Sequence, residues 1–200
     1  MTPLLIPVIA YVLGAIPFGY LLVKLATGAD VRAAGSGNIG ATNVLRTTGR
    51  AAAVATLLLD IGKGYLAVWI AGRLTERDPL WMSLAAIAVM AGHAYPVFLR
   101  FKGGKAVASF VGAFLCLTPV ALGLTLVVVV VTVGWSRHIS LGSIIAAATF
   151  PLAVWLVQRV PLPVEAAAIL AGAFIIYRHS SNIVRLRQGS EHVFRFGAKA

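Results

Sequence analysis

Acidic residues are scarce: Asp and Glu number six in 200 residues, against seventeen Lys and Arg. A metal site needs clustered oxygen donors, so a CDP-alcohol phosphotransferase, which depends on grouped aspartates, is set aside, and neither metal nor cofactor is expected. Cysteine is equally rare. Cys116 stands alone inside an apolar run, which excludes an intrachain disulfide and gives a thiolate little stabilisation, so it reads as a small core hydrophobe. Charged residues make up only 12% of the chain while 60% is hydrophobic, and the mean hydropathy is +0.92, a balance outside that of soluble domains. No basic residue precedes Lys24, so the amino terminus lacks the charged region of a signal peptide and the first apolar run is expected to be retained. Internal repeats and low-complexity tracts are missing too.

What fills the chain is a series of apolar runs, several of them about 17 to 25 residues long, enough to cross a hydrocarbon core about 30 Å thick as helices. They cover residues 3–25, 51–72, 80–99, 106–135, 141–157 and 164–177, separated by short polar connections such as TERDP and QRVPLP. The run 106–135 contains Thr118 and Pro119, and proline both removes a backbone donor and disfavours helix in the residue before it, so a break there is expected. Charge decides between one crossing and two. With the break, thirteen of the seventeen basic residues fall on one side: four between Lys24 and Arg50, three between Arg100 and Lys105, Arg137, and five in the tail from Arg178. Cytoplasmic loops collect Lys and Arg. The expected fold is therefore an all-α polytopic membrane protein, one domain over residues 1–200. It has seven transmembrane helices, the amino terminus outside and the carboxyl terminus cytoplasmic. The fourth helix, residues 106–117, is a half-length one of about 18 Å, and such helices often mark a site within the membrane. The net charge of +11 is explained by these connections and is not gathered on one soluble face, so no nucleic-acid partner is expected.

The segment GSGNIG carries Gly35, Gly37 and Gly40 in the spacing G-x-G-x-x-G, with Asp60 twenty positions further, which matches the dinucleotide fingerprint. That fingerprint joins a buried strand to a helix. Here GADVRAA precedes it and Asp60 sits inside LLLDIGKGYLAV, a run of helical length, so the dinucleotide reading fails. The local physics survives: glycines let backbone N–H groups approach an anion, and Ser36, Asn38, Thr42 and Asn43 add short hydrogen-bonding groups. From Ala41 the chain reads as helix, with Thr42 and Arg46 four apart on one face and Arg50 a further turn along. Arginine offers a planar fork to phosphate oxygens. The bland alternative is a loop whose arginines touch lipid headgroups, but that would not require Ser, Asn and Gly packed so densely.

Two further segments look similar in purpose. In HAYPVFLRFKGGKA, Gly103 and Gly104 precede Lys105 at the expected start of the short helix, a place for an anion; Arg100 and Lys102 read as ordinary interfacial anchors. In YRHSSNIVRLRQGSE, His179 and Asn182 are three apart on one helical face. The expected topology puts these segments, and SRHISLGS with Ser143, on one membrane face, as one site would require. Asp60 and Lys63 are three apart within a span, where charges are costly and usually paired, so they are expected to pair and either hold structure or support the site. His93 reads as a structural hydrogen-bonder.

Taken together, GSGNIGATNVLR, LLDIGKG, GHAYPVFLRFKGGKAVA, SLGS and HSSNIVRLRQGSEH resemble, in order and over most of the chain, the PlsY family of acyl-phosphate:glycerol-3-phosphate acyltransferases. The resemblance implies a seven-helix enzyme of the bacterial plasma (inner) membrane with its active site facing the cytoplasm. It would move a fatty acyl group from acyl phosphate to the 1-hydroxyl of glycerol 3-phosphate, the first acylation of phospholipid biosynthesis. Lysophosphatidic acid and inorganic phosphate would be the products, and acyl-CoA and acyl carrier protein would not be donors. By the matching motifs it assigns Ser36, Thr42, Arg46, Lys105, Ser143, His179 and Asn182 to the site. The tail reads HSSN where the family commonly has HRxN. Partners are the two small substrates and membrane lipids, with no obligate protein partner.

The residues themselves make this chemistry reasonable. Two phosphate dianions must sit beside an acyl carbonyl, and Arg46, Lys105 and the glycine-loop amides supply the opposing field. An acyl phosphate is a mixed anhydride with a good leaving group, so positioning the hydroxyl can suffice without a covalent enzyme intermediate. No Ser-His-Asp set is apparent, and none of His93, His138, His179 and His192 is followed by Asp at the fifth position, the arrangement of thioester-dependent glycerolipid acyltransferases. His179 and Asn182 are expected to orient substrate or bind phosphate, with Ser36 beside them and a substrate phosphate taking the hydroxyl proton. The competing class is an anion transporter, since a short broken helix with a basic half-site also describes carriers, although the outer connections are poorly equipped for one. A purely structural membrane subunit would show no turnover.

Overall fold

The computed structural model describes residues 3–194, all of them helix, turn or loop, with no strand among them. Arg195 and Lys199, counted above in the basic tail, lie outside the described residues. Ten α-helices follow in order: α1 (Ile6–Ala15), α2 (Phe18–Thr27), α3 (Ala41–Thr47), α4 (Arg50–Leu74), α5 (Pro79–Ala94), α6 (Val107–Leu117), α7 (Pro119–Ser136), α8 (Ile139–Gln158), α9 (Leu162–Arg178) and α10 (Ser180–Arg187). Five stretches are long and apolar enough to cross a membrane: Pro3–Thr27, Arg50–Leu74, Pro79–Leu99, Pro119–Ser136 and Ile139–Gln158. A sixth arises if α9 and α10, bent by 56°, count as one broken span, and α6 is a shorter apolar helix. The break at Thr118 is present, and α6 with its 11 residues is about 17 Å long.

Contacts gather the chain into two units, one ending at Cys116 and the other beginning at Leu117. In the first, the opening apolar stretch is interrupted at Ile16, whose backbone is extended (ψ 114°) because it precedes Pro17. At this interruption the Ile16 carbonyl accepts from Phe18 N–H at 3.2 Å and from Lys63 Nζ on α4 at 2.8 Å, which satisfies it where no water is at hand. Helices α1 and α5 cross at Gly14 and Gly92, and α4 crosses α6 at Gly64 and Gly112; at each of the four a Cβ would overlap a backbone carbonyl of the facing helix. Close backbone approach through small residues is how helices associate where lipid is as apolar as leucine.

The third span, read over residues 80–99, corresponds to the stretch Pro79–Leu99; within it α5 ends at Ala94 and Val97–Leu99 forms a 3-10 turn, since Tyr95 precedes Pro96 and leaves the helical region. One expectation shifts here. Arg50 was expected to continue the helix of Thr42 and Arg46. Instead Gly49, at φ +114°, separates the two helices and Arg50 opens α4.

The second unit is a helical hairpin of α7 and α8, continued by α9 and α10. Arg137 and Arg159, both in the left-handed region, close the turns at the ends of α7 and α8. The buried stripe of α9, Val164, Ala167, Ala168, Ala171 and Ile175, has the three-and-four spacing of one helical face. The segment after α10 doubles back, and Phe194 N–H donates to Arg137 O at 2.7 Å.

Candidate functional site

In the first unit the glycine segment is organised by one side chain. Asn43, on α3 and 1% exposed, accepts from Ser36 N–H through Oδ1 at 2.8 Å. Its Nδ2 faces the carbonyls of Val31 and Ala34 at 3.1 Å and of Asn38 at 2.8 Å. An amide has two N–H groups and a carbonyl, so this one residue staples four points of the segment. Asn38 adds a local turn by accepting from Gly40 N–H at 2.8 Å. Gly35 sits at φ +60°, and a Cβ there would overlap Asn43 Oδ1, so glycine is required on two counts. The segment starts at Asp30, which accepts from Arg32 N–H and pairs with the Arg32 guanidinium at 2.6 Å. The Arg32 hydrogen bond holds this carboxyl below its ordinary value, against the opposing effect of burial.

Beneath the segment lies a buried cluster of Val23, Val31, Ile39, Val44, Ala53 and Leu99. Ile39 belongs to GSGNIG and Leu99 to the turn before RFKGGK, so the two motifs that the sequence paired share one apolar footing. Ser36 and Arg46 are exposed, whereas Thr42 and Lys105 are half-buried. Thr42 and Arg46 both lie on α3, as expected. The short helix was read over residues 106–117 with Lys105 at its amino terminus; α6 runs Val107–Leu117, and Ala106, at φ +62°, turns the chain between Lys105 and the helix. Gly103 and Gly104 rest on the end of α5: their N–H groups donate to Ala94 O at 3.2 Å and His93 O at 3.0 Å.

Below them, Asp60 and Lys63 pair as expected, Nζ to Oδ1 at 2.7 Å with both side chains 3% exposed. His93 Nδ1 lies 3.6 Å from the same carboxylate oxygen and 3.1 Å from Ser109 Oγ. The Ser109 hydroxyl donates to Asp60 O at 3.3 Å. Sequence reading paired Asp60 with Lys63 alone; the contribution of α5 and α6 to the cluster was not legible.

In the second unit, His179 stands at the joint between α9 and α10 and Asn182 one turn into α10, both buried at 3% exposure. His179 Nδ1 lies 2.8 Å from Ile175 O. A carbonyl can only accept, so Nδ1 carries the proton and the neutral ring presents Nε2 as an acceptor. Asn182 Nδ2 donates to Glu191 Oε1 at 2.8 Å, and the same oxygen accepts from Ser140 Oγ at 3.1 Å. Arg185 Nε donates to Glu191 Oε2 at 2.7 Å. Burial pushes the Glu191 carboxyl up, but the hydrogen bonds of Asn182, Arg185 and Ser140, with the Arg185 charge, outweigh it and hold the group below its ordinary value. Glu191 was missed from sequence. Its signal was there, as the only acid in a strongly basic tail. Ser143 is buried and its hydroxyl donates to Ile139 O of its own helix at 3.0 Å.

Residues 4–189 match a family model described as glycerol-3-phosphate acyltransferase. A glycerol-3-phosphate acyltransferase of Geobacter sulfurreducens is 46% identical over 195 residues, covering 98% of this chain and 99% of the relative. One of Desulforamulus reducens is 44% identical, covering 100% and 98%. Among solved structures the chain is similar to PlsY, an integral membrane glycerol 3-phosphate acyltransferase, in its glycerol 3-phosphate form, with TM-score 0.92 and 39% identity over 98% of this chain and 96% of that one. The same enzyme in its lysophosphatidic acid form gives TM-score 0.89 and 37% identity, with the same coverage.

Proposed function

The chain belongs to the glycerol-3-phosphate acyltransferase family, and on that premise we propose that it transfers a fatty acyl group from acyl phosphate to the 1-hydroxyl of glycerol 3-phosphate. The hydroxyl oxygen attacks the acyl carbonyl, the bond to phosphate breaks, and lysophosphatidic acid and inorganic phosphate leave. The observation that carries the reading is the Asn43-stapled glycine segment. It holds backbone N–H groups and the short side chains of Ser36, Asn38 and Thr42 in fixed order beside Arg46, in a chain similar throughout to an enzyme solved with both acceptor and product.

Residues 1–200 act as one membrane acyltransferase domain. Arg46 and Thr42 on α3, with Ser36 and Asn38 from the segment before it, hold one phosphate. Lys105 supplies positive charge for a second, placed by Gly103 and Gly104, whose own N–H groups are taken up by Ala94 O and His93 O, and Ser143 contributes a hydroxyl. Two dianions brought together repel, and fixed cations and amides in a site of low dielectric offset that repulsion while stabilising the tetrahedral oxyanion. Asn43, Asp60 and Lys63 support this arrangement without touching substrate. His179 and Asn182 orient the acceptor. Proton transfer goes to a substrate phosphate, or to Nε2 of His179, which its Nδ1–H contact to Ile175 O leaves as the accepting nitrogen. Seven spans carry these groups: the stretches from Pro3, Arg50, Pro79, Pro119 and Ile139, the short α6, and α9 with α10. The amino terminus lies outside, and the carboxyl terminus and active site face the cytoplasm of a bacterial inner membrane. The excess of Lys and Arg in the connections on that side is what favours this orientation.

Purified protein given glycerol 3-phosphate should turn over acyl phosphate and not acyl-CoA, with a chelator making no difference. Turnover restricted to acyl-CoA, or loss of activity on chelation, would overturn the mechanism. Phosphate uptake into proteoliposomes without acyl transfer would assign the chain to carriers instead.

A further inference from the structure

His93 is a histidine wedged between an intramembrane ion pair and a segment of glycines. It lies on α5, 3% exposed. One edge of its ring meets polar groups from two other helices: Nδ1 is 3.1 Å from Ser109 Oγ on α6 and 3.6 Å from Asp60 Oδ1 on α4. Because the Ser109 hydroxyl donates to Asp60 O, its oxygen is left to accept, and the nearby carboxylate favours the same donor on the ring. Both fix the proton on Nδ1. Asp60 is itself held by Lys63 at 2.7 Å, and Lys63 by Ile16 O at 2.8 Å, so the ring is braced against α4, α6 and the break in the first span. The opposite edge lies under Gly104: a Cβ there would overlap Nε2, with Cδ2 at 2.8 Å. The carbonyl of His93 also accepts from Gly104 N–H at 3.0 Å, and that of Ala94 from Gly103 N–H at 3.2 Å.

Polar groups of this kind are costly inside a membrane and persist where they serve a site. An apolar side chain would fill the same volume without fixing the rotation of the ring. We propose that His93 is a positioning residue for the phosphate-holding segment of Gly103, Gly104 and Lys105, with Ser109 and Asp60 setting its orientation. It acts through the backbone of that segment and does not touch the reacting atoms. The inference rests on the reading of Lys105 as a phosphate-holding residue given above.

A structural role predicts loss of folded protein, whereas a positioning role predicts an altered KM in folded enzyme. Ser109→Ala removes one oxygen from the brace, and His93→Gln keeps a polar group of similar reach. In the full-length reconstituted enzyme each should raise KM for one of the two phosphate substrates by about tenfold, with kcat within about twofold and the melting temperature little changed. A double-mutant cycle adds an independent readout. Gly104→Ala should raise KM strongly, and adding His93→Ala, which removes the atoms that the new methyl meets, should recover about fivefold or more, a non-additivity that distant sites do not show. Should His93→Ala fail to fold, Ser109→Ala and His93→Gln still decide. Unchanged KM for both substrates in those two variants, or strictly multiplicative effects in the cycle, would overturn the proposal. Wild-type protein that fails to turn over acyl phosphate would instead sink the acyltransferase mechanism on which it rests.

Discussion

Replacing Asn43 by alanine removes four hydrogen bonds at once, from Ser36 N–H and to the carbonyls of Val31, Ala34 and Asn38. Each full bond contributes about 1 kcal/mol net, and the two Nδ2 hydrogens shared among three carbonyls count as about two, so the total is about 3 kcal/mol. Ser36 and Ala34 are exposed, so water satisfies part of what is lost, and a loss of about 2 to 3 kcal/mol in the order of the segment is the better figure. If substrate binds only the ordered segment, that free energy appears as a fall in kcat/KM of about 30- to 150-fold. Asn43→Asp sharpens the test. It keeps the volume and the bond from Ser36 N–H but turns the donor toward three carbonyls into another acceptor, so activity should fall at least as far. Initial rates with acyl phosphate at varied glycerol 3-phosphate give the number, and thermal unfolding in detergent shows whether the helices remain intact. A folded Asn43→Ala enzyme with kcat/KM within about threefold of wild type would refute the claim that this amide organises the segment.

Other perturbations follow from the same geometry. Glu191 has a carboxyl held below its ordinary 4.5; a group with a depressed folded value stabilises the fold above its unfolded value and loses that contribution as pH falls through the lower folded one. Glu191→Gln should therefore melt below wild type at neutral pH, with the gap closing as pH is carried below 4.5; a gap independent of pH would count against the carboxylate network. His179→Ala and Asn182→Ala should each lower acyl transfer by about a hundredfold or more, and full-rate variants would remove both from the site. At Gly112, where a Cβ would overlap Ile61 O, alanine should force α6 away from α4 and lower the melting temperature of the purified protein. An unchanged melting temperature would show that the crossing tolerates separation.

Chemistry that depends on neighbours in sequence was legible before any coordinates. Pro119 announced the break at Thr118 because a proline acts on the residue beside it, and long apolar runs marked α4, α7 and α8 to within a few residues. Asp60 and Lys63 were expected to meet because three residues along a helix bring side chains to one face. Asn43 was recognised as belonging to the glycine segment, though not as the side chain that binds its four points together. The error lies where backbone conformation outran pattern: Gly49, at φ +114°, cut Arg50 from α3.

Hydropathy, charge placement and motif order, all readable along the chain, determined that this is a helical membrane protein of the glycerol-3-phosphate acyltransferase family. The partners of Glu191, Ser140 lying 51 positions away, and of His93, Ser109 lying 16 away, were decided only by tertiary structure. No local rule couples a carboxylate or an imidazole to a hydroxyl on another helix. Such a contact exists only once the helices pack, and it then becomes strong because packing has removed the water that would have competed for it.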